Sequence, residues 1–118
     1  MALFTPVGTN YIPVLDLAVA ASWYAKIFGL RQRPTQFDDG QKGIEPTLSE
    51  EIYFVLGPRD VPTDHETLML YTSRIEKARD YLSSRGVNVD EIQQDRQGTR
   101  FFEMRDLESN VIEICEEP

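Results

Sequence analysis

The chain has 118 residues, 41% of them hydrophobic and 27% charged, the balance of an ordinary soluble globular protein that forms one domain or two small units sharing a core. A formal net charge of −8 at pH 7 lacks the basic surface that phosphates require, so nucleic acid is not an expected partner. A cationic small ligand would suit this charge, although such a surplus more often serves solubility alone.

Asn10 to Leu15 reads as a strand. Asp16 is a natural N-cap for a helix through "LAVAASWYAKIF", in which Leu17, Ala20, Ala21, Tyr24, Ile27 and Phe28 recur at helical spacing before Gly29 stops it. Strands are expected at Leu30 to Phe37, Lys42 to Thr47 and 52 to 56 ("IYFVL"), with "DDG" at 38 to 40 as a turn. "GPRDVPTDH", residues 57 to 65, reads as a connection. Leu68 to Tyr71 is again strand-like. A second helix starts at Ser73-Arg74-Ile75-Glu76, the pattern of a capping box, carries Ile75, Ala78, Tyr81 and Leu82 inward, and ends at Gly86. Strands follow at Val87 to Ile92, Thr99 to Met104 and "NVIEIC", with "DRQG" at 95 to 98 as a turn.

The order strand, helix, three strands thus occurs twice. Leu17 to Ile75, Ala20 to Ala78, Trp23 to Tyr81 and Tyr24 to Leu82 are each 58 residues apart, and Ile52 to Val111 is 59. No apolar run approaches the roughly 20 residues that span a membrane. No basic start followed by an apolar run marks a signal peptide. The single cysteine, Cys115, permits no internal disulfide, which suits a cytoplasmic location.

A duplicated chain of this kind resembles the vicinal oxygen chelate superfamily, which includes glyoxalase I, bleomycin-resistance proteins, fosfomycin-resistance enzymes and extradiol dioxygenases. "YIPVLDLAVAASWYAKIFGL" is similar to the family's opening, and "RFFEMRDLESNVIEICE" to its closing "F…DPxGNxIEL", with Leu107 where proline is usual and Ser109 where glycine is usual. The resemblance implies an α+β fold in which two βαβββ modules form a cupped mixed sheet. It implies a single domain over 1–118, with module one at about 7–57, a linker at 58–65 and module two at about 66–116.

In metal-dependent relatives, side chains from the first and last strands of each half hold the ion. Those positions fall on Thr9, Phe54, Thr67 and Glu113, with Thr9 to Thr67 58 apart and Phe54 to Glu113 59 apart. Strand alternation would turn Ile12, Val14, Leu68, Leu70, Ile112 and Ile114 to the helices, and Thr9, Tyr11, Pro13, Thr67, Met69, Tyr71, Val111, Glu113 and Cys115 into the cup. One carboxylate beside two threonines and a phenylalanine does not make a divalent-metal site, so no metal and no cofactor are expected. His65, the only histidine, would add one donor at most and reads better as a solvated loop residue. Cys115 lacks a placeable base and reads as inert. Tyr53 and Trp23 are assigned to core or dimer packing.

Three roles stay open for Glu113. It pairs with a cationic or hydrogen-bonding ligand group in a wet cavity. It pairs structurally with Arg100 or Arg33. Or it acts as a general base with a raised pKa. Thr9, Tyr11, Phe54, Thr67, Met69, Tyr71 and Glu113 are the candidate ligand-binding residues, Glu113 the one candidate catalytic residue. The expected function is metal-free binding of a small aromatic or cationic molecule, of the bleomycin-resistance type. The alternatives are a lyase, isomerase or dioxygenase with a substitute metal site or Glu113 as base, and a module that kept only the scaffold. A homodimer is expected.

Overall fold

Asp16 starts the first helix as its sequence requires: its backbone is extended and its Oδ1 accepts the Val19 N–H at 3.1 Å. The computed structural model describes residues 3–6, 11–36, 42–48, 51–52, 55–58 and 68–117. In chain order the elements are β1 (Thr5–Pro6), β2 (Tyr11–Val14), α1 (Leu17–Phe28), β3 (Arg31–Gln36), β4 (Lys42–Leu48), β5 (Glu51–Ile52), β6 (Val55–Pro58), β7 (Leu68–Thr72), α2 (Ile75–Ser84), β8 (Asn88–Val89), β9 (Gln93–Gln94), β10 (Arg100–Arg105) and β11 (Val111–Glu116). They divide into two compact units, Gly8–Glu66 and Met1–Val7 with Thr67–Pro118.

In the Gly8–Glu66 unit, α1 buries Ala20, Ala21, Tyr24 and Ile27, whereas Leu17 and Phe28 are half-buried. Tyr24 meets Trp23 edge-on at 4.9 Å and stacks on Phe28 at 6.1 Å between ring centroids. Gly29, at φ 67, closes the helix in the left-handed conformation that a side chain would strain. The sheet order is β2-β6-β4-β3, with β5 on β4; β2 and β6 run parallel and the other pairs antiparallel. The single strand expected over 52 to 56 is instead two, β5 and β6, and the second extends through Gly57 and Pro58, which read as connection in the sequence. Backbone pairing with β2 (Pro13↔Gly57, Val14↔Pro58) accounts for the extension. The turn expected at 38 to 40 lies outside the described residues.

The other unit repeats this plan, in the order β7-β11-β10-β8, with β7 and β11 parallel and β9 on β10. Here β1 adds an antiparallel edge, Thr5↔Tyr71 and Pro6↔Leu70, which two residues without an apolar pattern do not announce. One face packs the core: Leu70, Phe102, Met104, Ile112 and Ile114 are fully buried, as are Ile75, Ala78 and Leu82 of α2. Burying each of these side chains other than that of Ala78 stabilises by about 1.5–3 kcal/mol.

The capping box expected at Ser73 does not form. The helix begins at Ile75 with Arg74 as N-cap and no side-chain cap, and the buried Thr72 hydroxyl accepts the Arg74 N–H at 3.2 Å just before it. At the other end, Val87 N–H reaches the Leu82 carbonyl at 3.1 Å and Gly86 N–H the Ser83 carbonyl at 3.0 Å, a Schellman closure. Tyr81, expected inward, is half-buried: it meets Phe4 edge-on at 6.0 Å, and the Arg85 guanidinium lies 3.7 Å above its ring. Two βαβββ units, each with a helix on a mixed sheet, make this an α+β fold.

Candidate functional site on the outer face of the second sheet

β11 is β-branched and apolar, and its burial alternates. Ile112 and Ile114 lie in the core, while Val111, Glu113 and Cys115 occupy the opposite, outer face. Register supplies the neighbours on that face. Glu113 stands opposite Met69 of β7 and opposite Glu103 of β10. Two residues along, Cys115 stands opposite Tyr71 and Phe101, and Phe101 opposite Gln93 of β9. Two rows therefore cross three strands, Met69–Glu113–Glu103 and Tyr71–Cys115–Phe101, and all six residues are half-buried. With strands about 4.8 Å apart, each row is about 10 Å wide, the scale of a small aromatic system.

Electrostatics on this face are one-sided. The Glu113 carboxyl is held above the usual carboxylate range, first by burial, then by the charges of Glu103 and Asp95. The Cys115 thiol is pushed up by burial and then by Glu113, Asp95 and Glu116, so it remains a thiol at neutral pH, not a nucleophilic thiolate. Asp95 is fixed by its turn: its Oδ1 accepts the Gln97 N–H at 2.9 Å and the Thr99 N–H at 3.0 Å. Gly98 completes that turn at φ 85 and donates to the Asp95 carbonyl.

Arg100 is not the partner of Glu113. It shares the phase of Phe102 and Met104 on the helix side of β10. There it donates Nη2–H to Glu116 Oε1 at 2.7 Å and Nε–H to Glu116 Oε2 at 3.1 Å, and reaches Glu76 at the start of α2. This holds Glu116 below its ordinary range, through the Arg100 hydrogen bonds above all; Glu76 is lowered by its backbone N–H first and Arg100 second. Arg105 donates Nη1–H to Asp90 Oδ1 at 3.1 Å. Among the described residues, no ion pair reaches Glu113.

Of the candidate ligand-binding residues, Met69, Tyr71 and Glu113 share this face. Tyr11 lies in β2, its side chain outside the described residues; Thr9, Phe54, Thr67 and His65 lie outside them altogether, as does the Arg33 side chain. The ladder registers refine the repeat. Val55 stands opposite Tyr11 as Glu113 stands opposite Met69, and the buried pair Ile12↔Leu56 matches Leu70↔Ile114. The spacing is 58 in both cases, so Val55 rather than Phe54 is the register counterpart of Glu113. Phe101 and Glu103 are new members of the face. Alternation within "RFFEMR", applied as it was to "VIEIC", would have found them.

A metal centre of the kind the resemblance implies asks for three or four donors. Among the described residues no group of three His, Cys, Asp or Glu side chains is placed to hold an ion. Glu103 and Glu113 are two carboxylates beside a thioether, two aromatic rings and a protonated thiol. These residues do not fit such a centre.

No protein-family model matches this sequence, and no curated protein matches it. Solved structures do. A member of the glyoxalase/bleomycin resistance protein/dioxygenase superfamily from Sphaerobacter thermophilus aligns with a TM-score of 0.75 at 22% identity, covering 94% of this chain and 96% of its own. TnmS3, an antibiotic-binding protein from a Streptomyces species, aligns at 0.74 and 21%, covering 97% of both. A lactoylglutathione lyase from Agrobacterium tumefaciens aligns at 0.69 and 15%, covering 93% of this chain and 92% of its own. The chain has the fold of this superfamily. The same fold carries antibiotic binding in one of these proteins and a lyase in another, so function rests on the site.

Proposed function

We propose that this protein binds and sequesters a small, flat, cationic organic molecule without a metal, as bleomycin-resistance proteins do. The observation that supports this best is the facing pair Glu103–Glu113, set among Met69, Tyr71, Phe101 and Cys115. Two carboxylates in direct register repel one another, and a bound cation would remove that repulsion while the aromatic and thioether groups cover its apolar body. The likeness to an antibiotic-binding protein agrees with this reading.

The test is a thermal-shift comparison of ethidium, a planar cation, with anilinonaphthalene sulfonate, a planar anion. Saturation at 100 times the dissociation constant adds about 2.7 kcal/mol of stability. Stabilisation by the cation, lost in Glu113→Gln, supports the proposal; equal shifts with both dyes, or none, defeat it. Metal analysis after dialysis is the companion measurement, and a stoichiometric divalent ion would defeat the metal-free reading.

A second reading takes Glu113 as a general base, since its raised carboxyl moves toward the pH at which a base is most effective. Lyase or isomerase turnover that vanishes in a folded Glu113→Gln protein would establish that reading instead.

A further inference from the structure

The outer face of the second sheet is graded along its strands. Cys115 stands opposite Tyr71 and Phe101 in one row, and Glu113 stands opposite Met69 and Glu103 in the next. Beyond that row Val111 stands opposite Arg105. Side chains two apart on a strand share a face, so these rows lie about 7 Å from one another. Their order is aromatic, acidic, basic. Asp90 holds Arg105 on the last row: Arg105 donates Nη1–H to Asp90 Oδ1 at 3.1 Å and Nη2–H to Oδ2 at 3.5 Å. Asp90 is fixed in turn, because its N–H reaches the Glu103 carbonyl at 2.9 Å. Diagonal neighbours on a sheet are within reach of a long side chain, so without Asp90 the Arg105 guanidinium would cover Glu103 or Glu113. With Asp90 in place, the acid pair is left to a ligand.

Resting on the sequestration reading, this gradient sets a ligand's polarity as well as its charge. We propose that the site takes an arylalkylammonium, its N–H-bearing head on Glu103 and Glu113 and its ring about 7 Å away over Tyr71, Cys115 and Phe101. Attraction places the cation on the acidic row, and the Arg105 charge repels it from the far side. The body therefore extends the other way, onto the aromatic rings. Two carboxylates converge on the head, and charge-assisted N–H···O bonds are the strong ones. A quaternary ammonium has no N–H and needs aromatic faces around it. The acidic row carries no ring, since its third member is Met69. The linker crosses between the rows beside Met69 and Cys115, soft apolar groups that suit methylenes. Asp90 is a positioning residue: it acts through Arg105 to keep the acid pair open.

Amide NMR titration with phenylalkylamines of increasing spacer length tests this. An extended spacer of about three or four methylenes sets the ammonium about 7 Å from the ring centre. Affinity should rise from benzylamine to phenylbutylamine and gain nothing further at phenylhexylamine. The trimethylammonium analogue of phenylbutylamine should bind about tenfold more weakly. Ring-current shifts should centre on the amides of Tyr71, Phe101 and Cys115, not on those of Glu103 and Glu113. Asp90→Ala should weaken phenylbutylamine about tenfold, and Asp90→Ala combined with Arg105→Gln should recover the affinity, which simple damage to the fold would not allow. A gain that continues at about fourfold per methylene, the plain apolar trend, overturns the proposal. Equal binding of the quaternary analogue, or no recovery in the double variant, overturns it too. Ethidium separates the two readings. If it stabilises the protein while the amines show no preferred spacer, the graded face fails and sequestration stands. If neither ethidium nor any amine binds, sequestration fails and the graded face with it.

Discussion

Removing one carboxylate from the Glu103–Glu113 pair should make the protein more stable, against the common outcome that substitutions destabilise. The two residues are direct partners across the β10–β11 ladder, and among the described residues no ion pair relieves Glu113. Two charges about 5 Å apart repel by about 0.8 kcal/mol in bulk water and about 3 kcal/mol at the effective dielectric of a protein surface. Facing like charges on exposed sheets cost less, about 0.2–1 kcal/mol. On this half-buried face we expect Glu113→Gln to gain about 0.5–1 kcal/mol at pH 7. Glu113 titrates higher in the folded chain than in the unfolded one, because burial and then Glu103 and Asp95 disfavour its anion. The penalty is therefore absent below the unfolded pKa, grows as pH rises through the folded value and is complete above it. Urea unfolding of wild type, Glu103→Gln, Glu113→Gln and the double variant at pH 7 and pH 3 reads this directly. The single gains should not add, since either substitution ends the repulsion, and both should vanish at pH 3. A Glu113→Gln variant less stable than wild type at pH 7, or one whose gain persists at pH 3, would refute the electrostatic account.

Ser109 holds a left-handed φ of 66, so Ser109→Gly should raise stability by about 1 kcal/mol in a denaturant titration. Asp16→Ala should cost about 1 kcal/mol by losing the cap to Val19, whereas Ser73→Ala, at a position that caps nothing, should stay within about 0.5 kcal/mol of wild type. Ile112→Ala, in the fully buried row of β11, should cost about 2–5 kcal/mol and lower the thermal midpoint accordingly. Arg100→Met should lower stability at pH 7 but not at pH 3. Glu76 and Glu116 titrate low in the folded chain, so what they contribute is present above their unfolded pKa values and lost as pH falls through the folded ones.

The sequence by itself determined both helices, most strand positions and the duplicated order, because these rest on local signals: apolar periodicity, Asp16 before α1, and glycines at positive φ after each helix. Inverting the alternation of "VIEIC" correctly separates Ile112 and Ile114 from Glu113, since a strand has only two faces. Tertiary structure decided what stands beside what. Nothing local says that Glu103 faces Glu113 or that Val55 stands opposite Tyr11, because ladder register is set by pairing between distant segments, and a slip of one residue exchanges the faces. The second helix started one residue later than the Ser73 capping-box pattern promised, with Arg74 as an uncapped N-cap, and Arg100 went to Glu116 and Glu76 on the helix side, because strand phase and packing fix where a side chain points before any charge can choose its partner.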